Sequence, residues 1–140
     1  MLLVGDIGGT KTNLAVFASA TTLSSPIAEM TFPSGNYESL EAIIQEFIER
    51  FHVLVDRACF GVAGPVVDNQ ATITNLPWII STTHLQETFQ LKSAVLMNDL
   101  EAIAHAVPFL EANELYTLNA GEASAGGAIA VIAPGTGLGE

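Results

Sequence analysis

The chain has 140 residues, of which 49% are hydrophobic and 14% charged, and its mean hydropathy of +0.43 excludes intrinsic disorder. Fifteen acids against four bases (Lys11, Arg50, Arg57 and Lys92) give a net charge of −11, which excludes a basic stripe for nucleic acid and polybasic attachment to an anionic membrane. Cys59 is the single cysteine, so no intrachain disulfide and no cysteine-based metal cluster can form. The opening Met1-Leu2-Leu3-Val4-Gly5-Asp6 lacks the basic n-region of a signal peptide. The apolar run Ala128–Ala133 is far too short to span a bilayer. A reducing cytoplasm is the expected compartment.

In chain order, Leu2–Asp6 predicts a strand, Gly8-Gly9-Thr10 a turn and Asn13–Ala18 a second strand. A softer stretch, Thr21–Ser25, leads to a third strand over Ile27–Phe32, which Pro33-Ser34-Gly35-Asn36 breaks. Leu40, Ile43, Ile44, Phe47, Ile48 and Phe51 then fall on one face of a helical period, with Ser34 or Asn36 as the expected cap. Further strands are expected at Ala58–Ala63, closed by Gly64-Pro65, and at Ala71–Thr74, ending in Asn75-Leu76-Pro77-Trp78. Ser81 caps a short helix carrying Leu85 and Phe89. Ala94–Met97 is a strand, Leu100–Val107 a helix stopped by Pro108, and Ala128–Ala133 a last strand. This order implies a mixed sheet with helices on its faces. The low surface charge and the terminal Pro134-Gly135-Thr136-Gly137-Leu138-Gly139-Glu140 suggest a chain cut before its second domain, with apolar surface left for a partner.

Three constellations can carry chemistry. In Gly5-Asp6-Ile7-Gly8-Gly9-Thr10, a strand ending in Asp before two glycines can turn backbone N–H groups onto a phosphate. Asp6 would hold Mg²⁺, directly or through water, and Thr10 would bond phosphate oxygens; a plain hairpin turn explains the same glycines. Asn98-Asp99 stands where a strand gives way to a helix, the place where α/β folds set reacting groups. An Asp there can accept a proton from a substrate hydroxyl, and it can equally cap the helix. Gly135-Thr136-Gly137 comes after an apolar strand as a possible second phosphate loop. No Walker sequence is present. His52, His84 and His105 share no metal-ligand spacing, Cys59 reads as a buried inert thiol, and Trp78 as a packing anchor.

Taken together, Leu3–Thr10, Gly61-Val62-Ala63-Gly64-Pro65-Val66, Thr74-Asn75-Leu76-Pro77-Trp78, Asn98-Asp99-Leu100-Glu101-Ala102 and Pro134–Gly139 form a collinear series of blocks that resembles the bacterial glucokinase family. The resemblance implies an α/β fold of the actin-like ATPase, ribonuclease-H-like kind, with a mixed β-sheet flanked by helices. It implies an N-terminal small lobe over residues 1–133 and, over 134–140, the start of a second phosphate loop leading to a larger lobe. The implied reaction is ATP-dependent, Mg²⁺-assisted phosphorylation of glucose to glucose 6-phosphate.

Carried over by position, Gly5, Asp6, Ile7, Gly8, Gly9 and Thr10 would bind the ATP phosphates, as would Gly135, Thr136 and Gly137. Asp99 would be the base for the sugar 6-hydroxyl, and Asn98, Asn75, Gly64 and Pro65 would line the sugar side. The family's adenosine pocket, further sugar contacts and hinge belong to its second lobe, so the isolated lobe is expected to be inactive and to pair as a homodimer through exposed apolar surface. Two alternatives stand beside this reading: a kinase of the related ROK group acting on another hexose or an amino sugar, and a non-catalytic actin-like nucleotide-binding module.

Overall fold

A computed structural model describes residues 1–19, 25–73, 75–122, 126–134 and 138–139. Two units divide it, Met1–Asp99 and Leu100–Glu140. In the first, strands β1 (Leu2–Ile7), β2 (Lys11–Phe17) and β3 (Ala28–Pro33) precede helix α1 (Leu40–Phe51). Next come β4 (Arg57–Val62), β5 (Val66–Val67), β6 (Gln70–Thr72), β7 (Ile79–Ser81), helix α2 (Thr82–Phe89) and β8 (Ser93–Asn98).

The main sheet has the order β3-β2-β1-β4-β8. β2 runs antiparallel to both β1 and β3, whereas β1, β4 and β8 are mutually parallel, the mixed sheet expected from the sequence. Period-two burial arises from the strand pleat. Leu3 and Ile7 of β1, Leu14 and Val16 of β2, Phe32 of β3, and Phe60 and Val62 of β4 all lie on one face, at 1% exposure or less. Against that face α1 lays Leu40, Ile43, Ile44 and Phe47, and α2 lays Leu85. Each such side chain withdrawn from water contributes about 1.5–3 kcal/mol. Phe32 and Phe47 meet edge to face with ring centroids 6.4 Å apart.

The cap of α1 differs from expectation. Ser39 accepts from the Ala42 N–H, while Ser34 and Asn36 lie in a separate 3-10 turn. The reason is spacing, because the cap hydroxyl must reach an amide in the first helical turn. Ser81 caps α2 as read from the sequence, accepting from the His84 N–H. A small sheet, β5-β6-β7, was not foreseen beyond β6. Its hairpin turns at Asp68 and Asn69, both with positive φ, the backbone signature of a tight two-residue hairpin.

Helix α3 (Asp99–Ala106), which lies in the second unit from Leu100 onward, gives way to a 3-10 turn at Val107–Phe109 that carries Pro108. None of the described residues of this unit is buried. The strand expected over Ala128–Ala133 is absent; only Ala133–Pro134 (β9) is extended, paired antiparallel with Leu138–Gly139 (β10). An apolar run becomes a strand only where neighbouring strands take up its backbone groups, and two residues of partner satisfy little. Among the described residues, no helix is long and apolar enough to cross a membrane.

A candidate phosphoryl-transfer edge

The register of the three parallel strands fixes the site. Ile7 of β1 pairs with Val62 of β4, and Val62 pairs with Asn98 of β8. All three strands therefore end on one line. The segments leaving them share the same edge: Gly8-Gly9-Thr10 after β1, Ala63-Gly64-Pro65 after β4 and Asp99 after β8. Ligand-binding groups collect at the carboxyl ends of parallel strands. With strands about 4.8 Å apart, the ends of β1 and β8 stand two strand spacings apart, with β4 between them.

The β1 turn is held on several sides. Gly8 N–H donates to the Lys11 carbonyl at 3.0 Å, and a Cβ on Gly8 would stand 3.0 Å from that same oxygen. The buried Ser34 donates from Oγ to the Gly8 carbonyl at 2.8 Å, and from its N–H to the Thr10 carbonyl at 3.0 Å. Gly5 and Ile7 face the core rather than the edge. A Cβ on Gly5 would meet Phe60 at 2.6 Å and Leu14 at 2.8 Å, and the Ile7 carbonyl accepts from Ala63 N–H at 3.0 Å.

Asp6 points to the opposite, exposed face. Its Oδ2 accepts from Asn13 Nδ2 at 3.1 Å, and Asn13 Oδ1 in turn accepts from the Thr31 hydroxyl at 2.8 Å. The cross-strand pairs Asp6–Asn13 and Asn13–Thr31 place these groups side by side. This relay orients the carboxylate next to the turn. Among the described residues, no group of three or more His, Cys, Asp or Glu could chelate a metal. A single carboxylate beside a glycine turn fits Mg²⁺, which retains waters and takes one or two protein carboxylates.

Gly64 and Asn98 come together directly. Asn98 Nδ2 donates to the Gly64 carbonyl at 3.1 Å, tying the β4 turn to the end of β8. A Cβ on Gly64 would lie 2.7 Å from the Thr72 carbonyl oxygen, so the small sheet presses on this turn and only glycine fits. Pro65, Asn75 and Asp99 are exposed, and Asn75 sits at φ 66°. Thr74, residues 21–24 of the softer stretch Thr21–Ser25, and the second loop, Gly135-Thr136-Gly137, fall outside the described residues. Trp78 is 2% exposed and donates from Nε1 to the Tyr37 carbonyl at 3.3 Å, the anchor role expected of it. Cys59 is half-buried, and that burial pushes its thiol above the ordinary range, away from nucleophilic thiolate chemistry.

Sequence reasoning missed Asn13, Thr31 and Ser34. Asn13 follows the polar Lys11 and Thr12 in β2 and carries no distinguishing signal; Ser34 acts through tertiary contacts that carry no local signal.

A sequence model of the glucokinase family matches residues 3–140. The chain belongs to the glucokinase family. It is 38% identical over 143 residues to the glucokinase of Trichormus variabilis, covering 100% of this chain and 42% of that protein. It superposes on a crystal structure of glucokinase from an Antarctic psychrotroph with a TM-score of 0.83 and 34% identity, over 99% of this chain and 44% of the other. Glucokinase from Balamuthia mandrillaris in complex with glucose shares the fold, with a TM-score of 0.56 at 20% identity over 76% of this chain and 31% of the other. The fold is thus that of glucokinases and related sugar kinases, and this glucokinase-family chain spans about 42% of the length of the curated relatives it matches.

Proposed function

We propose that this chain is the small lobe of an ATP-dependent glucokinase, which moves the γ-phosphoryl of ATP to the 6-hydroxyl of D-glucose in the cytoplasm. The observation that carries the reading is the common end-line of Ile7, Val62 and Asn98. This supports the reading because the glycine turn after β1 and the carboxylate after β8 leave the same edge of the sheet, with only β4 between their strands.

Gly8, Gly9 and Thr10 receive the phosphates, with Gly5 and Ile7 framing the turn from the core. Asp6 would hold Mg²⁺, directly or through water; the ion would supply neutralisation of the charge on the phosphoryl oxygens. Asp99 takes the proton of the 6-hydroxyl as it attacks. Asn98 binds neighbouring sugar hydroxyls, its donor end already oriented by Gly64, and Gly64, Pro65 and Asn75 line the sugar side. Gly135, Thr136 and Gly137 form a second phosphate loop. Catalysis in such a site is chiefly positioning and charge stabilisation.

Exposed apolar residues support pairing between copies: Ile79 at 68% and Val95 at 46% stand open in the first unit. A full-length protein carrying this segment, assayed against a panel of hexoses and amino sugars with ATP and polyphosphate as donors, tests the reading. Glucose with ATP is the expected preferred pair. An amino sugar preferred over glucose would assign it to the ROK group, and nucleotide hydrolysis that no sugar stimulates would make it a nucleotide-binding module.

A further inference from the structure

Ser34 is 0% exposed, and each of its polar atoms is engaged. Its N–H donates to the Thr10 carbonyl at 3.0 Å, its carbonyl accepts from Tyr37 N–H at 3.1 Å, and Oγ donates to the Gly8 carbonyl at 2.8 Å. A serine hydroxyl has one proton. With that proton spent on Gly8, the 3.0 Å contact with Thr12 Oγ1 must be a bond donated by Thr12, itself 0% exposed. A chain of two buried hydroxyls, Thr12 to Ser34 to Gly8, therefore ends on the glycine turn.

The direction of this chain matters. Across a trans peptide the C=O of one residue and the N–H of the next point in opposite directions, and none of the described peptide bonds is cis. Drawing the Gly8 carbonyl inward onto Ser34 therefore turns the Gly9 N–H outward, away from the core. In a turn rich in glycine, that peptide plane would otherwise rotate at little cost. A donor already aimed before the ligand arrives needs no reorganisation at binding.

The geometry points to Ser34 as the positioning residue of the phosphate turn, a buried latch on the Gly8–Gly9 peptide that aims the Gly9 N–H at a nucleotide phosphate. The inference rests on the reading of Gly8–Thr10 as the phosphate turn, and its substrate chemistry is that of a nucleoside triphosphate. Thr12 stands behind the latch, so its loss weakens the core without releasing the Gly8 carbonyl.

The test is a titration of the ¹⁵N-labelled 140-residue chain with Mg-ATP, tracking backbone amides, for wild type, Ser34→Ala and Thr12→Val, with a thermal melt of each. Wild type is expected to shift at Gly8, Gly9 and Thr10. Ser34→Ala is expected to bind roughly three- to tenfold more weakly, the worth of one well-made hydrogen bond. Thr12→Val is expected to lose thermal stability yet to bind within about twofold of wild type, since one intact latch bond remains. Should Ser34→Ala fail to fold, Ser34→Cys keeps a side chain of the same connectivity, slightly larger and with only a weak donor, and is expected to weaken binding in the same direction. Equal affinity for wild type and the Ser34 variant, or equal weakening by both substitutions, would overturn the latch while leaving the phosphate turn standing. No shift in the wild-type turn would overturn the phosphate reading itself, and the latch with it.

Discussion

At the scale of single residues, Asp99 and Gly64 make opposite demands on the chain. If Asp99 is the base, Asp99→Asn in a full-length protein carrying this segment should leave folding and Mg-ATP binding intact and lower turnover by about 10² to 10⁴. Turnover above a tenth of wild type would remove Asp99 from the mechanism. Gly64 acts through space. Placing a Cβ 2.7 Å from a backbone oxygen of Thr72 forces the small sheet or the turn to move, and Gly64→Ala should cost about 1–3 kcal/mol in denaturant unfolding. Its carbonyl also holds Asn98, so the same variant should weaken glucose more than Mg-ATP, read as the ratio of the two affinities. The glycine and asparagine were visible in the sequence as separate motifs. Their hydrogen bond was not, because it joins positions 34 residues apart through a sheet register that no local pattern encodes.

Among the elements, those with a full period of apolar residues were legible, and those that depend on neighbours were not. The apolar stripe of helix α1, Leu40 to Phe51, matches its sequence reading because it spans three turns, whereas the start was misread, with Ser39 and not Ser34 or Asn36 as the cap. Strands β1, β2, β3, β4 and β8 match to within one or two residues. The small sheet went unread apart from β6, since Val66–Val67 and Ile79–Ser81 are too short for alternation to show, although Asp68-Asn69 carried a hairpin signal. The expected strand over Ala128–Ala133 failed for the converse reason, an apolar run with no sheet of its own beside it. One electrostatic tie joins elements at the far end of the sheet. Asp56 receives the Met1 ammonium at 2.8 Å and Lys92 Nζ at 2.9 Å, and hydrogen bonds from the two cations, the ammonium first, hold its carboxyl well below the usual carboxylate range. A carboxylate depressed on folding stabilises the fold above its ordinary pKa near 3.8, and that contribution is lost as pH falls further. The group is exposed, so the effect should be small. Asp56→Asn should therefore lower stability at neutral pH by that small amount and leave stability below about pH 4 unchanged, which flattens the acid limb of a stability–pH curve; an unaltered acid limb would remove Asp56 from the acid response.

For the whole molecule, the sheet has two ends of different character. At one lie the Gly8-Gly9-Thr10 turn, the Gly64 turn and Asn98-Asp99. At the other, Met1, Leu2, Ala18, Ser19, Asp56 and Arg57 line an open pocket of about 170 Å³. Phosphoryl transfer draws most of its acceleration from clamping both substrates in a closed, dry cleft, and this chain spans only about 42% of its relatives' length. Alone it should form no glucose 6-phosphate above background when incubated with Mg-ATP and glucose, and turnover within tenfold of a full-length relative would refute the need for a second lobe. Binding without turnover is still expected, and it can be mapped. The most direct measurement is a backbone-amide shift map of the wild-type chain with Mg-ATP and with glucose, each added separately at millimolar concentration. Mg-ATP should move Gly8, Gly9 and Thr10, and glucose should move Gly64, Asn98 and Asp99, all on one edge of the sheet. Perturbation centred instead on Met1, Asp56 and Arg57, or glucose shifts that spare the ends of β4 and β8, would contradict a phosphoryl-transfer site at the ends of the three parallel strands.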